Sequence, residues 1–286
     1  MKTLFDKEPS PRFNPLDDYL FMKVMGQKGD EIQLLGFLNA VLRRSGKDQL
    51  NSVEILENKA LPKDTTTGKS CVLDVLAVLE DGTRVNIEVQ LRNEYNMDRR
   101  SLFYLGKVFT LSLPRGQDYG ELPNVIAINI VDFKFPPGGG LHTCFHLRED
   151  SDPSLVITAL EIHFISMLQW RKLKDKDIHN DPLHRWLAWF DIKSPPELVE
   201  EVMGMEGATA AAYKALEEAM KDEDDYRSYW AQRKAEHDRV SQLNSARREG
   251  LAQGIGEVAR KLKAMGESIE RICEITGLSP EAVEKL

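Results

Sequence analysis

An α/β fold, with a mixed sheet flanked by helices and a helical C-terminal extension, is what the sequence predicts. Three observations predict it. Apolar residues recur with a helical period over 14–44, with a period of two from about residue 52, and with a helical period again over 98–113. The stretch Val125-Ile126-Ala127-Ile128-Asn129-Ile130-Val131 is nearly all apolar, as expected of a strand covered on both faces. From Pro195 to the end, helical composition dominates.

Taken in order, residues 14–44 read as two helices. Asn14, Pro15 and Asp17 supply start signals, Phe21, Val24 and Met25 form one stripe, and Leu34, Leu35, Leu38, Val41 and Leu42 form another. Strands follow at Ser52–Leu56, Cys71–Leu79 and Arg84–Leu91, with Glu80-Asp81-Gly82-Thr83 as a hairpin signal between the last two. A helix is expected over Asp98–Leu113, ended by Pro114, and a strand over Asn124–Phe133. After the loop cluster Pro136-Pro137-Gly138-Gly139-Gly140 come short strands at His142–Leu147 and Leu160–Ile165 and a helix around Trp186–Phe190. This succession suggests one sheet with helices on its faces.

Composition bounds the class. The chain has 286 residues, 42% apolar and 29% charged, which suits one large or two modest soluble domains. No apolar run approaches the roughly 20 residues of a membrane span. Asp6, Lys7 and Glu8 stand where a secretory signal needs its apolar stretch, and Cys71, Cys144 and Cys273 are odd in number and widely spaced. A cytoplasmic protein is expected. The net charge of −8 argues at first against nucleic acid, but charge is partitioned. Residues 197–225 carry ten carboxylates against Lys214 and Lys221, whereas 227–263 carry nine basic residues against four acidic ones. The expected organisation is a domain over 1–193, an acidic helical segment over 194–230, and a basic, Gly-spaced helical tail over 231–286.

Asp74 and Glu88 sit inside strands that are otherwise apolar, and burying such carboxylates without partners is costly. Glu88 and Gln90 share a strand face. A two-residue Asp81-Gly82 turn would place Asp74 opposite Val89, on the wrong face. A three-residue turn of Glu80, Asp81 and Gly82, with Gly82 in the left-handed bulge position, pairs Leu79 with Thr83 and sets Asp74 opposite Glu88. The bulged turn is the expectation, because only that register converges the carboxylates. Together with the backbone carbonyl of Val89 they would form a hard oxygen site suited to Mg²⁺ or Mn²⁺. The competing reading is a solvated sheet edge with alternating polar residues.

Asp74, a hairpin and then Ile87-Glu88-Val89-Gln90 resemble the active-site signature of the PD-(D/E)XK nuclease superfamily. More narrowly, the chain resembles the recombination-promoting nuclease (Rpn) family, the PD-(D/E)XK nuclease family transposases. The likeness runs in order through NPLDDYLFMKVMG (14–26), LLGFLNAVL (34–42), SCVLDVLAVLEDGTRVNIEVQ (70–90), RRSLFYLGKVF (99–109), GQDYGELPNVIAINIVDF (116–133) and LEIHFI (160–165), and the charged, Gly-spaced residues 247–286 look like the family's tail. The resemblance implies a restriction-endonuclease-like core in which Asp74 and Glu88 ligate the metal. Gln90 stands where the wider superfamily has Lys, and an amide orients a water or a phosphate oxygen without supplying positive charge. On the following helix Arg100, Tyr104 and Lys107 share one face; Arg100 and Tyr104 match family positions that would contact the scissile phosphate, and Lys107 is the replacement cation. Asp18 matches an acidic position that would supply a further carboxylate. The family's Phe-Lys-Lys reads Phe21-Met22-Lys23, with one basic residue fewer.

The resemblance implies a Mg²⁺-dependent endodeoxyribonuclease, with Mn²⁺ as an alternative ion, acting on duplex DNA with low sequence specificity. The alternatives are a catalytically silent nuclease-like scaffold assembling through its helical tail as a homodimer or higher homo-oligomer, or a protein whose target is RNA or a partner protein. Other conspicuous residues read plainly. Trp186, Trp189 and Phe190 are packing anchors. Of the six histidines only His142 and His146 are tightly spaced; they flank Cys144 on one strand face, zinc is the minor reading, and Cys144 is expected as a small buried residue. Residues 267–286 read as two short helices around Gly277, packed by Ile269, Ile272, Leu278 and Val283 and resembling half of a helix-turn-helix; protein contact suits them better than base reading, since Glu281 and Glu284 face one Lys285. The basic run Arg233–Lys263 is either a solvated face or a contact to a duplex backbone.

Overall fold

The computed structural model describes residues 12–44, 46–56, 74–113, 116–205 and 207–286. Helix α1 (Asp18–Met25) starts where Asp17 accepts a 3.2 Å hydrogen bond from the Tyr19 N–H, and it buries Leu20, Phe21, Val24 and Met25. Helix α2 (Ile32–Val41) follows, then β1 (Val53–Leu56), β2 (Val75–Leu79) and β3 (Arg84–Gln90). Residues 71–73 of the expected second strand, Cys71 among them, lie outside the described residues.

The turn between β2 and β3 fixes the register. The Leu79 N–H donates to the Thr83 carbonyl and the Gly82 N–H to the Leu79 carbonyl, both at 2.9 Å. Gly82 has φ +82°, a left-handed conformation that glycine adopts without a Cβ penalty. The Asp81 carboxylate closes the loop by accepting from the Thr83 N–H at 2.9 Å. Pairing runs Val78↔Arg84 to Val75↔Ile87, and one residue further this register sets Asp74 opposite Glu88. The three-residue bulged turn expected from the sequence is the one formed.

Helix α3 (Met97–Leu111) crosses over to β4 (Val125–Val131); β5 (His142–Arg148), β6 (Val156–Ser166) and α4 (Met167–Lys172) follow. The six strands form one mixed sheet in the order β1-β2-β3-β4-β6-β5, in which β3, β4 and β6 are mutually parallel and the other pairings antiparallel. Strand β6 starts at Val156, four residues before the sequence suggested, because Val156 and Ile157 pair only with β5 at the sheet edge. Neither α4 nor this extension carries a long periodic pattern.

In-register residues of parallel strands share a face, so Glu88, Asn129 and Phe164 point to the same side. That side carries α3: Leu105 and Val108 pack on Val125 and Ala127, and Met97 packs against Val131 and Phe164. On the opposite side Val75, Ile87, Ile128 and Ile165 are buried, and α1 reaches it where Gly26 lies against Val75. Helix α5 (Pro182–Phe190) is capped by Asp181 and buries Trp186, Trp189 and Phe190, with Phe37 of α2 set edge-on to Trp186 and Phe190 at 5.5 Å. The expectation of packing anchors holds. The acidic stretch forms α6 (Pro196–Gly204) and α7 (Ala208–Lys221), which pack on α5 and on α1 and α2, so much of its charge is the outer face of helices within the first unit. Gly36 has a plain reason here: a Cβ on it would run into the Ala208 methyl of α7.

The chain divides into two compact units, one ending at Glu223 and one beginning at Asp224. The second consists of the long helix α8 (Glu223–Ala264, with its first residue in the first unit), α9 (Ile269–Thr276) and α10 (Pro280–Glu284). Ala259, Ile272 and Val283 form its small core, with Leu262, Ile269 and Leu278 around them. Gly277 ends α9 at φ +71° and Ser279 caps α10 through the Ala282 N–H. Side chains at Gly250 and Gly254 would meet open space, so close approach does not explain these glycines among the described residues. No described helix is long and apolar enough to cross a membrane.

Candidate active site

Strand alternation brings Asn86, Glu88 and Gln90 to the α3 face of β3, and Glu88 is buried there at 2% exposure. Asp74 enters from the start of β2, where its Oδ2 accepts a 2.8 Å hydrogen bond from the Val89 N–H. The N–H and C=O of one strand residue point the same way, so the Val89 carbonyl lies on the Asp74 side of β3. Asn86 Nδ2 donates to Glu88 Oε1 at 3.5 Å, while Glu88 Oε2 is buried without a hydrogen-bond partner among the described residues.

One guanidinium dominates the electrostatics. Arg100, on the first turn of α3, places Nη2 3.6 Å from Glu88 Oε2 and Nη1 3.8 Å from Glu94, with its Cζ 5.2 Å from the Tyr104 ring centre. Burial pushes the Glu88 carboxyl above the usual carboxylate range, Asp74 adds to the push, and Arg100 opposes it. Burial also raises Asp74; the Val89 N–H acts the other way, and the charge of Asp18 raises it further. Two carboxyls that resist ionisation together are what a divalent cation would relieve. The orphaned Glu88 oxygen and the all-oxygen donor set of Asp74, Glu88 and Val89 therefore fit Mg²⁺ or Mn²⁺.

The structure thus brings Asp74, Glu88 and Arg100 together, with Asp18 near enough to act on Asp74. Gln90 is half-buried at the end of β3 on the Glu88 face. Lys107 lies farther along α3, with its ammonium 5.7 Å from the Phe103 ring centre. Asp74 also lines a groove of ≈ 230 Å³ with Met22, Lys23 and Gly26 of the α1 end, giving the carboxylate access from the surface. Two supporting residues escaped the sequence reading. Asn86 could have been found from its spacing of two from Glu88. Asn129, which accepts from Ser101 Oγ and donates to the His163 carbonyl at 3.1 Å each, is buried beside Glu88 only through the β3–β4 pairing.

A family model described as PD-(D/E)XK nuclease family transposase matches residues 15–246. The chain belongs to this family. The mixed six-stranded sheet flanked by helices, with its long C-terminal helix, is consistent with a PD-(D/E)XK nuclease fold. Membership indicates a nuclease-like function. Searches among curated proteins and among solved structures gave no match.

Proposed function

We propose that the protein is a divalent-metal-dependent endonuclease that hydrolyses phosphodiester bonds in duplex DNA with low sequence specificity, with Mg²⁺ as its resident ion and Mn²⁺ as a substitute. The observation that carries this reading is half-buried Asp74 set opposite buried Glu88, whose Oε2 has no hydrogen-bond partner among the described residues and lies 3.6 Å from Arg100 Nη2. Asp74, Glu88 and the Val89 carbonyl would hold the ion. A divalent ion so held lowers the pKa of its bound water and neutralises charge on a phosphate oxygen.

The remaining residues act directly. Arg100 offers its forked N–H groups to the phosphate, and the Tyr104 ring beneath it fixes the plane of the guanidinium. Gln90 orients a water or a phosphate oxygen through its amide, and Lys107 supplies a second cation farther along α3. Asp18 adds an outer carboxylate on the Asp74 side. The basic, largely exposed α8 holds the duplex backbone, and exposed Leu243, Leu251 and Val258 on the same helix support self-association.

A plasmid-nicking assay in Mg²⁺ tests the reading. Wild-type protein is expected to relax supercoiled plasmid, and Asp74→Ala and Glu88→Ala to abolish the relaxation. Equal rates in all three proteins would sink the assignment.

A further inference from the structure

On the other face of the sheet from Glu88, the edge pair β5–β6 gathers a second set of donors. In the antiparallel ladder Cys144 faces His163 and His146 faces Glu161, so four metal-ligating side chains form the corners of one cross-strand square. Residue 163 alternates with Phe164 of the α3 face, which places the square on the opposite side. Cys144, His146 and Glu161 each bring a donor atom within 4.8 Å of the others. The Cys144 thiol donates to Glu161 Oε1 at 3.2 Å, and its sulfur lies 3.7 Å from His163 Nε2. His146 Nε2 is 3.9 Å from that sulfur and 3.6 Å from Glu161 Oε2.

Tetrahedral Zn²⁺, with bonds of about 2.0–2.3 Å to nitrogen, oxygen and sulfur, sets its ligands roughly 3.3–3.8 Å apart. The pairs that involve the sulfur, and the His146–Glu161 pair, already stand close to that spacing, whereas His163 lies outside the group of donors mutually within 4.8 Å and would have to draw toward His146. His163 Nε2 and Glu161 Oε1 are nearer, at 2.6 Å, in a hydrogen bond that coordination would replace. The outer arrangement suits a metal as well: His163 Nδ1 is held at 2.8 Å by His142 Nε2, fixing the ring that would present Nε2 as ligand. His163 is buried and His142 half-buried, with a carboxylate and a thiol at the mouth of the pair, and Cys144 is exposed rather than the small buried residue its composition suggested.

We propose that Cys144, His146, Glu161 and His163 form a structural Zn²⁺ site, with His142 as the outer partner that orients His163. Mixed sulfur, nitrogen and oxygen donors select zinc over Mg²⁺, which takes oxygen ligands, and four protein ligands leave no open position for catalysis. Its effect is to staple β5, the terminal strand of the sheet, to β6. Binding displaces the Cys144 thiol proton to solvent and shifts the His163 proton from Nε2 to Nδ1, where it donates to His142 Nε2 as that ring takes its other neutral tautomer.

The test uses the full-length protein, stripped with a chelator and reloaded. Wild-type protein and Glu88→Gln are expected to retain one Zn²⁺ per chain through dialysis, and the Co²⁺-loaded protein to show a thiolate-to-cobalt charge-transfer band in the near ultraviolet. Cys144→Ser, which changes one exposed atom, is expected to abolish that band and weaken Zn²⁺ by more than the roughly 10–100-fold expected for losing the outer partner in His142→Ala. Retention of Zn²⁺ at wild-type affinity by folded Cys144→Ser, a Co²⁺ complex without the thiolate band, or a folded wild-type protein that retains no Zn²⁺ would each overturn the proposal. Loss of Zn²⁺ in Glu88→Gln would do so too, by assigning the ion to the α3 face.

Discussion

The Val89 N–H donates a 2.8 Å hydrogen bond to Asp74 Oδ2, tying the first carboxylate of the candidate site to the strand that carries the second. Asp74 is thereby held by backbone, whereas Glu88, one residue earlier on the same strand, leaves an oxygen without a hydrogen-bond partner among the described residues.

That asymmetry makes Glu88 a cost to the fold in the absence of a cation. Its carboxyl titrates at a raised pH in the folded chain, so the folded state binds the proton more tightly than the unfolded state does. Its contribution is fully present below the ordinary carboxylate range and is lost as pH rises through the raised value. In chelator, thermal stability of the wild type is expected to fall between about pH 5 and pH 8. Glu88→Gln should flatten that slope and be more stable than wild type at pH 8 by about 2 kcal/mol. Calorimetry across pH checks this, and a parallel slope in the two proteins would refute it.

Arg100 and Lys107 should differ. Arg100 bears on both carboxylates, whereas Lys107 sets its ammonium 5.7 Å from the Phe103 ring centre, farther along α3. Nicking rates are expected to drop about 100-fold in Arg100→Met and about tenfold or less in Lys107→Met. The reverse ranking would make Lys107 the principal cation.

Arg171 bridges Asp132 and Asp191, donating from Nε to Asp191 at 2.9 Å and from Nη2 to Asp132 at 3.1 Å. Asp191 is 3% exposed, so removing the guanidinium strips a buried carboxylate of its ion pair and leaves it the Lys193 N–H at 3.1 Å and the charge of Arg12. Arg171→Met is expected to destabilise the first unit by about 3 kcal/mol in denaturant titrations, and Arg171→Met with Asp191→Asn to recover part of that loss.

Gly36→Ala should cost about 1–3 kcal/mol, because its methyl would occupy the space of Ala208. Adding Ala208→Gly is expected to restore most of it. A single substitution without effect on the unfolding midpoint would show that α2 and α7 can part at little cost.

Much of this was legible in local spacing. The Gly82 turn, and hence the register of Asp74, follows from three residues of loop, and the Trp186–Phe190 stripe follows from helical period. What escaped was non-local. Cys144 and His163 are nineteen positions apart and meet through ladder pairing, so sequence spacing exposed only the flanking His142 and His146. Asn129 looked like one polar residue in an apolar strand until β3 and β6 came to lie on either side of it. Cys144 was misjudged because β5 ends the sheet, where alternation continues without burial.

The Glu80–Gly82 turn also has a genetic meaning. Because side chains alternate along β2, loss or gain of one codon between Leu79 and Thr83 would shift the pairing by one residue and turn Asp74 to the far side of the sheet. Such an in-frame lesion keeps every candidate site residue in the reading frame while separating the two carboxylates. At this hairpin the number of loop residues decides whether the two carboxylates meet.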